Sequence, residues 1–485
     1  MTSRPGLAAP ARALLQATLL WAALLWAALL AASACRPAVH PGPAAVPAPA
    51  AAPTAAPQPP APTLAAGSLP PAGSLLTARP TPAGLASPVT PQVAELQPPP
   101  LSLRPGYERP MLIDFHTHLS LDGQDRIVRI MKENGIDVMV NLSGGSYRHG
   151  PEQWLQAKIL ADSLGGRVVN FMNPDWTGFG MPGWAEREAA RLDEAVMRYD
   201  FRGLKIAKIL GLGAIDENNG KLVAVDDPRL QPLWQKCGDL GVPVTIHVAD
   251  PRAFWWPLNP QNERWEELKV HPGWAYGPIP PELAADLPPR QKPPSWAELL
   301  QAAERMYRSN PRTTFVAVHF GNAAEDLAYV DGLLTRNPNV FVDIAARVGE
   351  FGRHPAQKVR DFFVKWQDRV VFGTDIGIGS DFLMLGSNGA VEPGMADVRP
   401  FFAAHFQFLE TATPKMAHPS PIQGGWTVDG VDLPAPVLQK LYRDNARRLL
   451  DREGLKLLAK RRPPPSTAAV GVPNGDQPAA GAARK

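Results

Sequence analysis

Cysteine is scarce in this chain, whose 485 residues contain only Cys35 and Cys237. Cys35 precedes every pattern typical of a folded domain, so Cys237 is the one cysteine expected inside the fold. A disulfide within the domain is therefore excluded. A lone cysteine on a helical pattern is most often a small core residue, and we expect this of Cys237.

The sequence also lacks any basic run interleaved with aromatic residues. The formal net charge is only +3, and several Arg and Lys residues lie in the two terminal segments. Because nucleic-acid binding requires a concentrated basic surface, nucleic acid is not an expected partner. A small molecule is the partner that we expect instead, and a homodimer stays open.

Residues 1–34 have the pattern of an export signal. Arg4 and Arg12 precede the apolar run LLQATLLWAALLWAALLAASA, which ends in small residues directly before Cys35. This ending resembles a bacterial lipobox, in which the cysteine is lipidated and becomes the mature N-terminus. We therefore expect export and a lipid-anchored envelope protein, periplasmic or attached to the outer membrane. A soluble secreted protein and an uncleaved helical anchor are the alternatives.

A Pro- and Ala-rich segment follows over residues 35–105, as in PGPAAVPAPAAAPTAAPQPPAPT. Such a composition cannot bury enough apolar surface to offset the entropy of ordering, and proline favours extended conformations. We predict a disordered linker there and a disordered tail over residues 461–485. The folded catalytic domain is expected between residues 110 and 460.

Within that domain, short apolar runs alternate with segments of helical period. The predicted strands are MLIDFH, DVMVNL, RVVNFM, FRGLKIAKI, VPVTIHV, TTFVAVHF, VFVDIAA and RVVFGTD. Apolar strands separated by helices indicate a parallel sheet covered by helices, and eight such units fit an α/β fold, the (β/α)8 TIM barrel. A doubly wound open sheet is the alternative, but no glycine-rich phosphate motif follows the first strand.

Two long insertions are predicted, one after strand 5 and one after strand 8. The first begins at Asp250 and the second spans roughly Gly377 to Leu433. Both leave the C-terminal ends of strands, which is the face where barrel enzymes place their sites. We expect them to form the walls or the lid of a pocket.

Histidine and aspartate residues mark the same ends of several predicted strands. His116 and His118 end strand 1 in MLIDFHTHLS, and alternate residues of a strand share a face, which would also include Asp114. Strands 5, 6 and 8 end in His247, His319 and Asp375. Because these ends converge in a closed barrel, we predict one site. Imidazole and carboxylate ligands suit Zn²⁺, and also Mn²⁺, Fe²⁺ or Co²⁺. The predicted metal ligands are His116, His118, His247 and Asp375.

This set of residues resembles the signature of the amidohydrolase superfamily. The segment LYRDNARRLL resembles the helix that closes its amidohydrolase-related branch, and the resemblance covers Met111 to Leu457. That branch includes metal-dependent hydrolases and nonoxidative decarboxylases such as aminocarboxymuconate-semialdehyde decarboxylase. The resemblance implies that Asp375 both binds the metal and accepts a proton from the attacking water, and that His319 is a non-ligand acid or base. We further expect Asp114 to orient an imidazole.

Strand 4 offers Lys205 and Lys208. In binuclear members of the superfamily a carboxylated lysine at this position bridges two cations, so a second metal is expected only if Lys205 is carbamylated. We favour one Zn²⁺ per chain, with each lysine as the charge partner of a carboxylate. Arginine pairs with carboxylates, and tryptophan supplies a flat apolar wall. The predicted substrate contacts are Lys205, Lys208, Arg252, Trp255, Trp256 and Arg347.

Three functions are compatible with these observations. The first is metal-dependent hydrolysis of a C–N or C–O bond (amide, cyclic amide or lactone) in a small carboxylated or aromatic compound. The second is nonoxidative decarboxylation, which makes the protein a carboxy-lyase. The third is a noncatalytic envelope lipoprotein that uses the barrel to bind a ligand.

Overall fold

The computed structural model describes residues 103–461, except 105, 147 and 149. The predicted export signal with Cys35, nearly all of the linker and the tail after Arg461 lie outside the described residues. No helix in the described part of the chain is both long and apolar enough to cross a membrane.

The centre of the fold is a ten-stranded sheet in which neighbouring strands are parallel, apart from one antiparallel edge pair. Its strands are β1 Ile113–Leu119, β2 Val138–Asn141, β3 Val168–Met172, β4 Gly203–Ile206, β5 Val244–Ile246, β6 Phe315–Ala317, β7 Val340–Asp343, β8 Val370–Val371, β9 Ile376–Ile378 and β10 Leu383–Leu385. Strands β1 to β8 follow one another in space in chain order, while β9 and β10 lie on the other side of β1.

Backbone hydrogen bonds close this sheet on itself. The N–H of Phe115 in β1 donates to the carbonyl of Phe372, which directly follows β8, at 3.0 Å. The N–H of Asp375 donates to the carbonyl of His116 at 2.8 Å. The first and eighth strands are thereby joined, and the predicted α/β barrel is confirmed. The predicted eighth strand is divided, because the backbone turns at Asp375 between β8 and β9.

Helices connect the strands and cover the outside of the sheet. The main helices are α1 Gln124–Asn134, α2 Pro151–Ser163, α3 Trp184–Arg198, α4 Gln231–Leu240, α5 Trp296–Ser309, α6 Leu327–Arg336, α7 Ala356–Lys365, α8 Met395–Glu410, α9 Ala435–Gln439, α10 Asn445–Leu450 and α11 Arg452–Arg461. In α1 the buried residues are Ile127, Ile130, Met131 and Asn134, the spacing of an amphipathic helix. Cys237 is buried in α4 as a free thiol, as predicted.

Buried apolar residues form two large clusters. One joins the outer faces of the strands to the helices. The other combines side chains of several barrel strands with Ala446 and Leu449 of α10. The side-chain amide of Asn445 donates to the carbonyls of Gln367 and Val370, at the start of β8. Helix α10, which belongs to the LYRDNARRLL segment, therefore lies at the N-terminal end of the barrel.

The segment between β5 and α5 contains only short helical turns. These are Arg252–Trp255, Trp265–Leu268, Pro272–Trp274 and Pro281–Ala284, around a small apolar cluster of their own. The segment after β8 contains β9, β10, α8 and the hairpin of β11 Met416–Ala417 and β12 Thr427–Val428. The two segments touch, since His271 Nε2 lies 3.1 Å from the Asn388 carbonyl and the Ser387 hydroxyl bonds to Glu267.

Candidate active site

An irregularity in β1 places the two histidines. The pairing of β1 with β2 shifts register between Asp114 and Thr117, so β1 contains an extra residue there. The expectation that Asp114 shares a face with the histidines and orients a ring is wrong. Asp114 instead accepts hydrogen bonds from the backbone N–H groups of His116 and Thr374 and from the Thr374 hydroxyl. It fixes the backbone on both sides of the site.

The His116 ring is held by an aspartate that the sequence analysis missed. His116 Nδ1 lies 2.8 Å from Asp343 Oδ2, and both residues are fully buried. The other oxygen of Asp343 accepts from the backbone N–H groups of His319 and Ala345, at 2.6 and 3.2 Å. Asp343 ends β7, so the pattern that identified the other residues could have identified it. Gly373, which follows β8, allows the chain to pass close to His116, because a Cβ at Gly373 would lie only 2.8 Å from His116 Cβ. This close approach could not be predicted from the sequence.

Asp375 joins the two histidines of β1. Its Oδ1 lies 3.3 Å from His116 Nε2 and 3.1 Å from His118 Nε2. The remaining ring nitrogen of His118 lies 2.6 Å from the Ser143 hydroxyl. Asp375 reaches this position because its backbone is left-handed, with φ of 64°. Each ring is thus held on one side and directed towards Asp375 on the other.

His319 lies beside the group formed by His116, His118 and Asp375. We call this group, together with His319 and His247, the histidine centre. Its ring centre is 4.7 Å from that of His116 and 4.4 Å from that of His247. Its Nδ1 lies 2.9 Å from the carbonyl of Ala345. A carbonyl only accepts hydrogen bonds, so the neutral ring carries its proton on Nδ1 and presents a lone pair on Nε2. The backbone of His319 and Phe320 is left-handed, with φ of 56° and 57°.

His247 follows β5 directly and has a looser outer partner. Its Nε2 is buried and lies 3.5 Å from Asp250 Oδ1, which is longer than a good hydrogen bond. Asp250 itself contacts Lys208 Nζ at 2.8 Å and the Tyr276 hydroxyl at 3.1 Å. Asp250 was not among the predicted site residues, because a carboxylate three residues after a histidine at a strand end is not a distinctive pattern.

Burial keeps three histidines, His116, His247 and His319, neutral. It lowers the pKa of His247 to about 4 and the pKa values of His116 and His319 well below their usual range. Burial alone would raise the pKa of Asp375, but His116 and His118 lower it overall. These three imidazoles are therefore unprotonated and Asp375 is ionised, which are the forms that bind metals.

These donors fit a divalent cation. One ligand atom from each of His116, His319 and Asp375 lies within 4.8 Å of the others. The outer nitrogens of His116 and His319 are fixed by Asp343 and Ala345, a common arrangement around metal-binding histidines. Two of the predicted ligands, His118 and His247, are absent from this compact group, which contains His319 instead. The buried Nε2 of His247 has no hydrogen-bond partner among the described residues.

The two lysines of strand 4 occupy different surroundings. Strand β4 ends at Ile206, so Lys205 lies within it and Lys208 beyond it. Lys205 is buried, and its Nζ lies 3.5 Å from His116 Nε2. Burial lowers the pKa of Lys205 to about 8. Lys208 is the charge partner of Asp250 and lies over the ring of Trp274, 5.3 Å from its centre.

Of the other predicted substrate residues, Arg252, Trp255 and Trp256 make their contacts away from the histidine centre, whereas the charge of Arg347 acts on His319. The Arg252 guanidinium lies 4.3 Å from the centre of the Trp296 ring, and the Trp255 indole donates to the Pro294 carbonyl. Trp256 is 43% exposed. Arg252 and Trp256 line a cavity of about 250 Å³ whose lining includes no residue of the centre. Arg347 is buried and donates to the Asn322 side chain at 2.5 Å.

Comparison with known proteins gives one sequence match and several structural ones. The profile of a family described as amidohydrolase matches residues 113–452. Among curated proteins, none matches the chain. One similar structure is a 2,6-dihydroxybenzoate decarboxylase from Rhizobium, at 15% identity and a TM-score of 0.41, with 71% of this chain and 99% of that chain covered. Another is amidohydrolase 2 from Bifidobacterium longum subsp. infantis, at 12% and 0.33, with 70% and 98% covered. Similarities this low carry no argument about the reaction.

Proposed function

Because the chain belongs to the amidohydrolase family, we propose that it is a metal-dependent hydrolase that cleaves a C–N or C–O bond in a small carboxylated or aromatic compound. The family supports a metal-dependent hydrolase or decarboxylase as the general class. The choice of an amide, cyclic amide or lactone as substrate is the further step that we propose.

The observation that carries this proposal is the meeting of His116, His118 and Asp375 around one carboxylate oxygen, with His319 beside them. We assign His116, His118, His247 and Asp375 to one Zn²⁺ per chain. The cation, when bound, would supply Lewis acidity for activating water and polarising a carbonyl. Two metals per chain would instead require a carbamylated Lys205.

The chain's own residues supply the proton transfers. Asp375 is ionised and lies at the centre, so it can accept a proton from water. His319 presents its Nε2 lone pair while Nδ1 stays bonded to the Ala345 carbonyl. It can therefore accept a proton and return it to a leaving group without changing its position. Its burial excludes bulk water from that exchange.

Decarboxylation is the second candidate, because the position of Lys205 suits it as well as it suits hydrolysis. Its ammonium is buried at the centre, and no carboxylate among the described residues forms an ion pair with it. Such a group can attract a substrate carboxylate, which suits either a carboxylated hydrolase substrate or a carboxylate that is lost. The leaving group decides between the two reactions.

The experiment measures metal content and products on the same protein. We expect about one zinc per full-length chain purified without chelator, and turnover of lactones or amides that stops when zinc is removed. Release of CO₂ from unsaturated acids would identify the decarboxylase. Zinc binding without turnover of any of these compounds would favour the noncatalytic envelope protein.

Ligand and acid–base roles are separated by two variants. We expect His116→Ala to lose zinc. His319→Ala should retain it and lose activity. Equal loss of zinc from both variants would make His319 a ligand, in line with its place in the compact group.

We also propose that Cys35 is lipidated and anchors the exported protein to the bacterial envelope, on the basis of the sequence pattern alone.

A further inference from the structure

Asp250 lies at the junction between the centre and the segment after β5. It is 4% exposed and stands three residues after His247, at the base of that segment. One of its oxygens, Oδ2, contacts both Lys208 Nζ at 2.8 Å and the Tyr276 hydroxyl at 3.1 Å. The other oxygen, Oδ1, faces His247 Nε2 at 3.5 Å.

Both partners of Oδ2 are themselves held in place. The Lys208 ammonium lies over the rings of Phe254 and Trp274, at 5.7 and 5.3 Å from their centres. The Tyr276 ring packs on Trp255, with ring centres 4.5 Å apart. The carboxylate of Asp250 is thus fixed from two directions by residues that are remote from the histidines in sequence.

The ionised form of Asp250 follows from these contacts. Its Oδ2 pairs with the Lys208 ammonium at 2.8 Å, which is the contact of a carboxylate with a cation. An ionised carboxylate only accepts hydrogen bonds. The buried His247 Nε2 has no other partner among the described residues, so a proton on that atom can be donated only towards Asp250 Oδ1. The lone pair of the ring then lies on Nδ1.

We infer that Asp250 is a positioning residue, which fixes the orientation and tautomer of His247 for metal binding and is itself held by Lys208 and Tyr276. The inference rests on the proposed function, in which His247 is a zinc ligand. It gives the segment after β5 a role at the centre, because Tyr276 belongs to that segment and reaches His247 through a single carboxylate.

Zinc affinity of the full-length protein in detergent tests the inference, measured by competition with a chelator. Asp250→Asn should weaken zinc binding 10- to 100-fold, the range for residues that orient metal-binding histidines. Tyr276→Phe, which only removes the hydroxyl, should weaken it several-fold. The double variant should be no weaker than Asp250→Asn, since both changes act through one contact.

Matched controls separate positioning from stability. Asp216→Asn changes a buried aspartate that is paired with Arg229 and touches no histidine of the centre. Tyr329→Phe removes a hydroxyl near the Leu300 carbonyl. Both controls should bind zinc as the wild type does, even where thermal unfolding shows a lower Tm. If Asp250→Asn does not fold, Tyr276→Phe carries the test.

Each outcome has a distinct meaning. Wild-type zinc affinity in both Asp250→Asn and Tyr276→Phe overturns the inference and leaves the proposed function intact. Additive effects in the double variant overturn the link through Asp250. A wild-type protein that binds no zinc overturns the proposed function, and the inference with it.

Discussion

Replacing Asp343 by asparagine should weaken metal binding by His116, although Asp343 is not itself a predicted ligand. Asp343 Oδ2 accepts the proton of His116 Nδ1, which leaves the lone pair of Nε2 facing Asp375. An asparagine can present its amide N–H₂ to Nδ1 while its oxygen keeps accepting from the backbone N–H groups of His319 and Ala345. The proton of His116 would then move to Nε2, where it blocks metal binding.

The expected loss follows from the number of contacts changed. Only the contact with the ring is reversed, so we expect zinc affinity to fall 10- to 100-fold, equivalent to about 1.4–2.8 kcal/mol. The backbone contacts remain, so Tm should change little. Burial raises the pKa of Asp343 to about 6, and a measurement at pH 8 therefore begins from the carboxylate.

Asp114→Asn is the matched control for this prediction. Asp114 is equally buried, but its contacts are backbone N–H groups and the Thr374 hydroxyl, and an asparagine can satisfy all of them. Chelator competition on both variants provides the assay. Unchanged zinc affinity in Asp343→Asn would refute control of the His116 tautomer, and an equal loss in Asp114→Asn would assign the effect to general disturbance of the barrel.

Three further predictions concern acid stability, substrate binding and anchoring. Burial lowers the pKa of His405 to about 4. The unfolded chain therefore binds a proton at this residue below about pH 6.5, whereas the folded chain does so only below about pH 4. The free energy of unfolding should consequently fall by about 2 kcal/mol between pH 7.5 and 5 because of this group. Urea unfolding of His405→Leu should show a smaller decrease, and an identical one would disprove this origin. Because Trp256 lines a cavity that contains no residue of the histidine centre, Trp256→Ala should leave KM, kcat and zinc content unchanged; a raised KM would show that substrate reaches that cavity. Cys35→Ser should move the protein from the membrane to the soluble fraction, whereas unchanged membrane association would indicate a helical anchor.

The sequence was sufficient to predict the barrel because its alternation of apolar runs and helical segments is a local property. The meeting of His116, His118 and Asp375 followed from strand ends that converge in such a barrel. What could not be predicted depends on departures from regular strands. The register shift in β1 accompanies an Asp114 carboxylate that accepts from backbone N–H groups and not from an imidazole, and the turn at Asp375 divides the predicted eighth strand.

Contacts between side chains that are distant in the sequence were the second feature that could not be predicted. Strand alternation could indicate which way Lys205 points, but the end of β4 at Ile206 leaves Lys208 free to turn towards Asp250. That contact spans two different strand ends and carries no local signal. Asp343 could have been predicted as a site residue, because it ends β7 just as Asp375 follows β8.

The left-handed backbone around the centre affects how the protein could be stabilised. Ala249, His319, Phe320, Ala346 and Asp375 all have φ between 53° and 64°, at the strand ends that surround the histidines. Such conformations cost non-glycine residues about 1 kcal/mol or more each. A screen for thermostable variants would therefore select glycine first at Ala249 and Ala346, where the exchange removes only a methyl group. At Phe320 the cavity left by a fully buried ring would cost more than the relieved strain. At His319 and Asp375 the same exchange would remove the reactive side chains.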